Sequence, residues 1–181
     1  MPVSHYKICV SGSAVINEPS AKAKAKAIGR AIAEQKAITL TGATTGYPYL
    51  AAIGAKEAGG MTIGFSPAMG PKEHTRKYRL PTDYMDLIVY TGFGYAGRNL
   101  FLVRSADACI HIAGRIGTLN EFTNAFEDKK VIGVLTGTGG TSTLIDDVIE
   151  IAHRGPGKVI YDDNPDTLVA KVIALLRKEL R

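Results

Sequence analysis

Two cysteines in 181 residues are too few for a disulfide framework. Both, Cys9 and Cys109, sit in apolar strand-like runs where a thiol serves as a small hydrophobe, which fits a reducing compartment. No stretch approaches the ~18 to 20 unbroken apolar residues that a membrane span needs, and the start "MPVSHYKICVSG" lacks a basic region followed by an apolar core and cleavage site. The expectation is a cytoplasmic protein with no membrane partner. No G-x-x-x-x-G-K-[ST] run occurs, so nucleoside triphosphate hydrolysis of the P-loop kind has no motif behind it. His5, His74, His111 and His153 are scattered without the close His, Cys or carboxylate pairings of a metal site, and His111, in an apolar run, reads as a core histidine.

What is present is regular. The chain is 45% hydrophobic and has no long polar linker, which suits one domain over residues 1–181. "YKICVSG", "AITLTG", "MTIGFS", "DLIVYTG", "ADACIHIAG", "KVIGVLTG" and "GKVIYDD" read as strands, and their nearly continuous hydrophobicity marks strands covered on both faces. Residues 19–35, 46–59, 95–105, 117–128, 141–154 and 165–180 carry helical apolar spacing, as at Leu168, Val172, Leu175 and Leu176. The alternation predicts an α/β fold: a doubly wound parallel sheet of about seven strands, Rossmann-like, with helices on both faces.

The formal charge of +5 suits nucleic acid, an anionic small ligand or solubility alone. Lys22, Lys24 and Lys26 in "AKAKAKAIGRAIAEQ" read as a solvated helical face rather than the dense patch of a nucleic-acid site. Residues 66–85, "SPAMGPKEHTRKYRLPTDYM", break the rhythm with three prolines and with Lys72, His74, Arg76, Lys77 and Arg79. A loop of that length and charge is expected to be a mobile cover whose basic groups approach a ligand.

Glycine, serine and threonine gather at five strand ends, in "SGSA", "TGATTG", "TGFGYAG", "AGRIGT" and "TGTGGTST". In an open α/β sheet ligands bind beyond the carboxyl ends of the strands, where helix N-termini offer unpaired N–H groups. Any single turn of this kind is explained by sharp geometry and capping; five together favour a crevice for a phosphate or another oxyanion. "GFGYAG" (Gly92, Gly94, Gly97) matches G-x-G-x-x-G, yet the next strand ends "HIAG" without the acidic residue of a dinucleotide site.

Arg98 opens the helix after strand four, and Glu121 lies in the first turn of the helix after strand five. If those strands are neighbours, the two meet in one crevice. Taken alone, each also fits a plain role: a carboxylate at a helix start, an arginine paired with a surface acid.

The stretch "GRNLFLVRSADACIHIAGRIGTLNEF" resembles the LOG family, once labelled lysine decarboxylases, whose signature is an Arg followed after a fixed helix and strand by P-G-G-x-G-T-x-x-E. The resemblance runs from strand one through the helix after strand six. It departs where Ala113 and Arg115 replace the signature's proline and second glycine, and with "TGTGGTST" this makes the chain more similar to the molybdenum cofactor carrier-like branch of the superfamily. It implies hydrolysis of a nucleoside 5′-monophosphate to base and ribose 5-phosphate, with Arg98 and Glu121 catalytic and no metal or organic cofactor. It also implies a phosphorylated ligand held by Gly12, Ser13, Gly42, Thr44, Thr45, Gly46, Gly114, Arg115, Ile116, Gly117 and Thr118, and a homo-oligomer. The alternative that it implies is a carrier releasing a phosphorylated pterin unchanged. Single-stranded DNA binding, known in the wider superfamily, is not expected, because Tyr78, Tyr84 and Tyr90 show no regular interleaving with the basic loop.

Overall fold

The computed structural model describes residues 6–179; His5 and residue 180 of the last expected helix lie outside the described residues. All seven expected strands are present: β1 Lys7–Gly12, β2 Ile38–Thr41, β3 Thr62–Ser66, β4 Leu87–Tyr90, β5 Ala108–Ile112, β6 Val131–Leu135 and β7 Lys158–Asp162. The helices are α1 Ala21–Glu34, α2 Tyr47–Glu57, α3 Pro71–Arg76, α4 Gly94–Ser105, α5 Ile116–Glu127, α6 Ile145–Ala152 and α7 Pro165–Glu179, with a 3-10 turn over Gly140–Leu144. Local chemistry sets the ends: the Asn164 side chain accepts from the amide of Thr167 at 3.0 Å and Pro165 opens α7, an N-cap followed by the proline that a first helical position tolerates.

The seven strands form one all-parallel sheet in the order β4-β3-β2-β1-β5-β6-β7. This is a single α/β domain of Rossmann type. Residues of alternating parity along the central strands feed two cores. Ile8, Val10, Ile110 and Ile112 pack with α1, α2 and α7. Cys9, Leu40, Cys109, Ile132 and Val134 pack with Leu102 and Val103 of α4, Phe122 of α5 and Ile145 of α6. Cys9 and Cys109 are buried free thiols directly opposite each other on β1 and β5.

The strand order corrects one expectation. β4 and β5 are not neighbours, since β4 is the sheet edge and β3, β2 and β1 separate it from β5. The winding reverses between β1 and β5, with later strands added on the opposite side of β1, the switch point where a doubly wound sheet opens a crevice. Arg98 reaches that crevice because α4 crosses back from the edge and packs beside α5.

Residues 66–85 also differ from the expected mobile cover. They contain α3, and His74 within it is fully buried. Its Nε2 donates to the carbonyl of Pro81 at 2.9 Å, so its Nδ1 accepts from the Ser66 hydroxyl at 2.8 Å. Lys77 is paired with Glu73 at 2.6 Å, and Lys72, Arg76 and Arg79 are solvent-facing. A polar side chain with both ring nitrogens satisfied pins the segment, which proline content and charge do not disclose.

Candidate functional site

A cavity of about 540 Å³ opens at the β1–β5 switch point. It is lined from β1 and the turn after it by Val10, Gly12, Ser13 and Ala14, and from the turn after β2 and the start of α2 by Gly42, Thr44 and Pro48. α4 contributes Tyr95, Arg98 and Asn99; the start of α5 contributes Arg115, Ile116, Gly117, Thr118 and Glu121. Arg98 and Glu121 thus share one crevice, as expected, although each stands one turn deeper in its helix than expected: α4 begins at Gly94 and α5 at Ile116.

Both charges are nearly excluded from solvent, Arg98 at 5% and Glu121 at 6% exposure. The Arg98 Nη1 donates to the carbonyls of Gly42 and, at 3.2 Å, Phe65, and Nε donates to the Asn99 side chain at 3.1 Å. Nη2 keeps no protein acceptor among the described residues. The hydroxyl of Ser11 donates to Glu121 Oε2. Burial pushes the Glu121 carboxyl up from the usual range, while Arg98 and the Ser11 hydroxyl pull it back by favouring the anion. Burial likewise pulls the Arg98 guanidinium down, against the attraction of Glu121. The same field reaches the strand below, where the hydrogen bond to Cys109 and burial raise the Cys9 thiol, Glu121 adding and Arg98 opposing.

Gly42 is required by this arrangement, since a Cβ there would overlap the Arg98 guanidinium. The turn before α5 is built by a different constraint. Ala113 has φ +52° and Gly114 φ +121°. A proline, locked near φ −65°, cannot hold the Ala113 conformation, so this turn departs in backbone as well as in sequence from the signature that it resembles. The β6–α6 loop braces it: Thr141 and Ser142 amides donate to the Gly114 and Ala113 carbonyls at 3.1 Å each, and the Ala113 amide donates to Thr138 Oγ1 at 2.9 Å. Arg115, at the cap position of α5, makes no side-chain capping bond, which leaves the first amides of α5 as donors toward the cavity.

Three expected ligand residues do not line the cavity. Thr45 donates to the Ala14 carbonyl at 2.9 Å, Gly46 packs on Ser13 and Ala14, and Gly114 packs on Thr118 and Thr141. "TGTGGTST" likewise supplies the brace and not the lining. Conversely, Ser11, Pro48, Tyr95 and Asn99 belong to the site and were not expected. For Ser11 the available signal was a hydroxyl inside an otherwise apolar strand, two residues from Cys9 and hence on the same face.

Among the described residues no group of three or more His, Cys, Asp or Glu side chains is placed to hold a metal ion, and no helix is long and apolar enough to cross a membrane.

A buried arginine and a buried carboxylate at the switch point, beside an uncapped helix N-terminus, define a LOG-like protein of Rossmann type. The chain belongs to the SLOG cluster4 family, which matches residues 5–169. An uncharacterised protein of Archaeoglobus fulgidus is 32% identical over 108 residues, 60% of this chain and 66% of that protein. The molybdenum cofactor binding protein of Rippkaea orientalis has a similar structure at 25% identity, with TM-score 0.78 and 99% of each chain covered. So has the molybdenum cofactor carrier protein of Chlamydomonas reinhardtii, at 28% identity and TM-score 0.78, over 97% of this chain and 99% of that one.

Proposed function

We propose that the crevice binds a phosphorylated, nucleotide-like ligand and hydrolyses the N-glycosidic bond of a nucleoside 5′-monophosphate. The observation that carries this reading is the convergence of Glu121, Arg98 and the uncapped N-terminus of α5 on one cavity. The amides at Ile116 to Thr118, with the Thr118 hydroxyl and the positive end of the helix dipole, suit the 5′-phosphate. Thr44 adds a hydroxyl to the cavity lining, while that of Ser13 donates to the Val15 carbonyl at 2.6 Å. Departure of the base leaves oxocarbenium character on the sugar, and a carboxylate beside it stabilises that charge or orients the attacking water. Glu121 takes this role; Arg98 and Ser11 favour its anion against the burial that disfavours it. Nη2 of Arg98, which has no protein acceptor among the described residues, serves the ligand.

One specific observation favours a second reading, a carrier: the likeness to molybdenum cofactor binding and carrier proteins covers 97% to 99% of this chain. A carrier needs no catalytic carboxylate, so Glu121→Gln separates the two. For a phosphoribohydrolase this isosteric change lowers turnover by at least about 100-fold, the scale of losing a preorganised electrostatic group, and alters binding far less. The readout is ribose 5-phosphate release from a panel of nucleoside monophosphates, with calorimetry in parallel. Wild-type protein that cleaves none of them and binds a phosphorylated pterin moves the assignment to the carrier.

We further propose that the chain works as a homo-oligomer. Phe93 and Phe101, exposed and stacked at 5.2 Å, together with exposed Leu100, put apolar surface on the outer side of α4 beside the site. Native mass spectrometry of freshly purified protein is expected to give a dimer or larger species, and a monomer at micromolar concentration counts against it.

A further inference from the structure

Tyr95 is an aromatic side chain that the fold holds in place without burying. It lines the cavity and yet is 51% exposed. It stands three residues before Arg98 on α4, so the two share a helical face, and the guanidinium carbon lies 5.9 Å from its ring centroid. Tyr78, from the segment pinned by His74, meets it edge-on, with centroids 5.4 Å apart and planes at 90°. Two oriented contacts, one cationic and one aromatic, therefore fix a ring whose remaining surface faces water. Ile116, 80% exposed at the start of α5, and Pro48 add apolar surface to the same cavity. Of the polar lining groups, Arg98, Glu121, Ser13, Thr44 and Thr118 are buried, while Arg115 is exposed. The cavity thus has a polar floor and, at its mouth, the exposed Tyr95 ring and Ile116 side chain beside the cationic Arg115.

We infer that Tyr95 is the stacking platform for a planar heterocycle carried by the phosphorylated ligand, and that Tyr78 is the residue that positions it. This rests on the reading above, in which the ligand is a phosphate ester bearing a flat, unsaturated ring system, and assigns that ring a place on Tyr95; a sugar phosphate alone fills only the floor. An aromatic ring already held in its working orientation loses little conformational freedom on binding, which is where such a platform gains affinity. It also assigns residues 66–85 a role unlike a charged lid, because the contribution to the site is an aromatic edge placed behind the platform.

The test compares adenosine 5′-monophosphate, whose purine offers a large stacking face, with ribose 5-phosphate, which offers none. Affinities are measured by calorimetry in the Glu121→Gln background, where turnover does not consume the ligand. The nucleotide is expected to bind more tightly than the sugar phosphate. Tyr95→Leu weakens nucleotide binding by roughly 5-fold to 100-fold, the range that base stacking on an aromatic supplies, and leaves ribose 5-phosphate within about twofold. Tyr95→Phe retains the affinity, and Tyr78→Leu gives a smaller loss with the same selectivity. Equal losses for both ligands, or none for either, overturn the platform, as does a nucleotide that binds no better than the sugar phosphate. Failure of both to bind the Tyr95-intact protein overturns the phosphate reading itself, and the platform falls with it.

Discussion

At the residue scale the site is governed by what surrounds two buried charges. An arginine and a glutamate in low dielectric each carry a desolvation cost that only hydrogen bonding and their mutual field offset. Arg98 meets that cost with backbone carbonyls, and this is why position 42 is glycine: its backbone is ordinary there, and the constraint is the guanidinium lying against it. Gly42→Ala is therefore expected to destabilise through Arg98, which must leave its acceptors to make room. The cost is roughly 3 kcal/mol, on the scale of stranding a buried charge, and shows as a lower denaturant midpoint with unchanged slope. In an Arg98→Met background, whose flexible thioether yields, the same substitution loses most of its effect. Full additivity of the two changes rules the argument out.

At the scale of elements, seven strands and six helices are legible in the sequence because each is an uninterrupted pattern. Largely apolar runs of six to nine residues, most with a glycine at one end, cannot be mistaken when they alternate with helical spacing. Strand order is not written in such local patterns. The path by which Arg98 meets Glu121, across a helix returning from the sheet edge, depends on where the chain reverses winding. The segment at 66–85 misleads for a related reason, since its composition is that of a loop while its structure depends on one buried histidine bonded to Ser66 and Pro81. The glycine-rich turns divide in the same way: those after β1, β2 and β5 face the cavity, whereas the one after β6 braces its neighbour from behind. Composition marks all of them alike, because a turn that holds a ligand and a turn that holds another turn need the same backbone freedom and the same small hydroxyls.

At the scale of the whole molecule, polar groups inside the core make stability depend on pH, and two of them act in opposite directions. Glu121, with its carboxyl raised by burial, binds a proton more readily folded than unfolded, so its contribution falls as pH rises through its titration. His111 is the reverse case. It is fully buried on β5, its ring lies 5.7 Å from that of Phe122, and neither ring nitrogen has a hydrogen-bond partner among the described residues. Burial pushes its pKa down to about 3 from the usual 6.5. Below pH 6.5 the unfolded chain takes up a proton that the folded chain refuses, so stability drains away as pH falls toward 3. Each pH unit in that window costs about 1.4 kcal/mol, or roughly 2 kcal/mol by pH 5. His111→Leu, close in volume and without polar atoms, is expected to match or modestly exceed the wild type at pH 7.5, since it also removes two unsatisfied nitrogens. Its advantage then grows by that amount on acidification. The Glu121 contribution, common to both proteins, cancels in the difference. Urea unfolding of the pair at pH 7.5, 6 and 5 measures it, and a gap that stays constant over the three shows that His111 finds a partner or a proton in the folded protein.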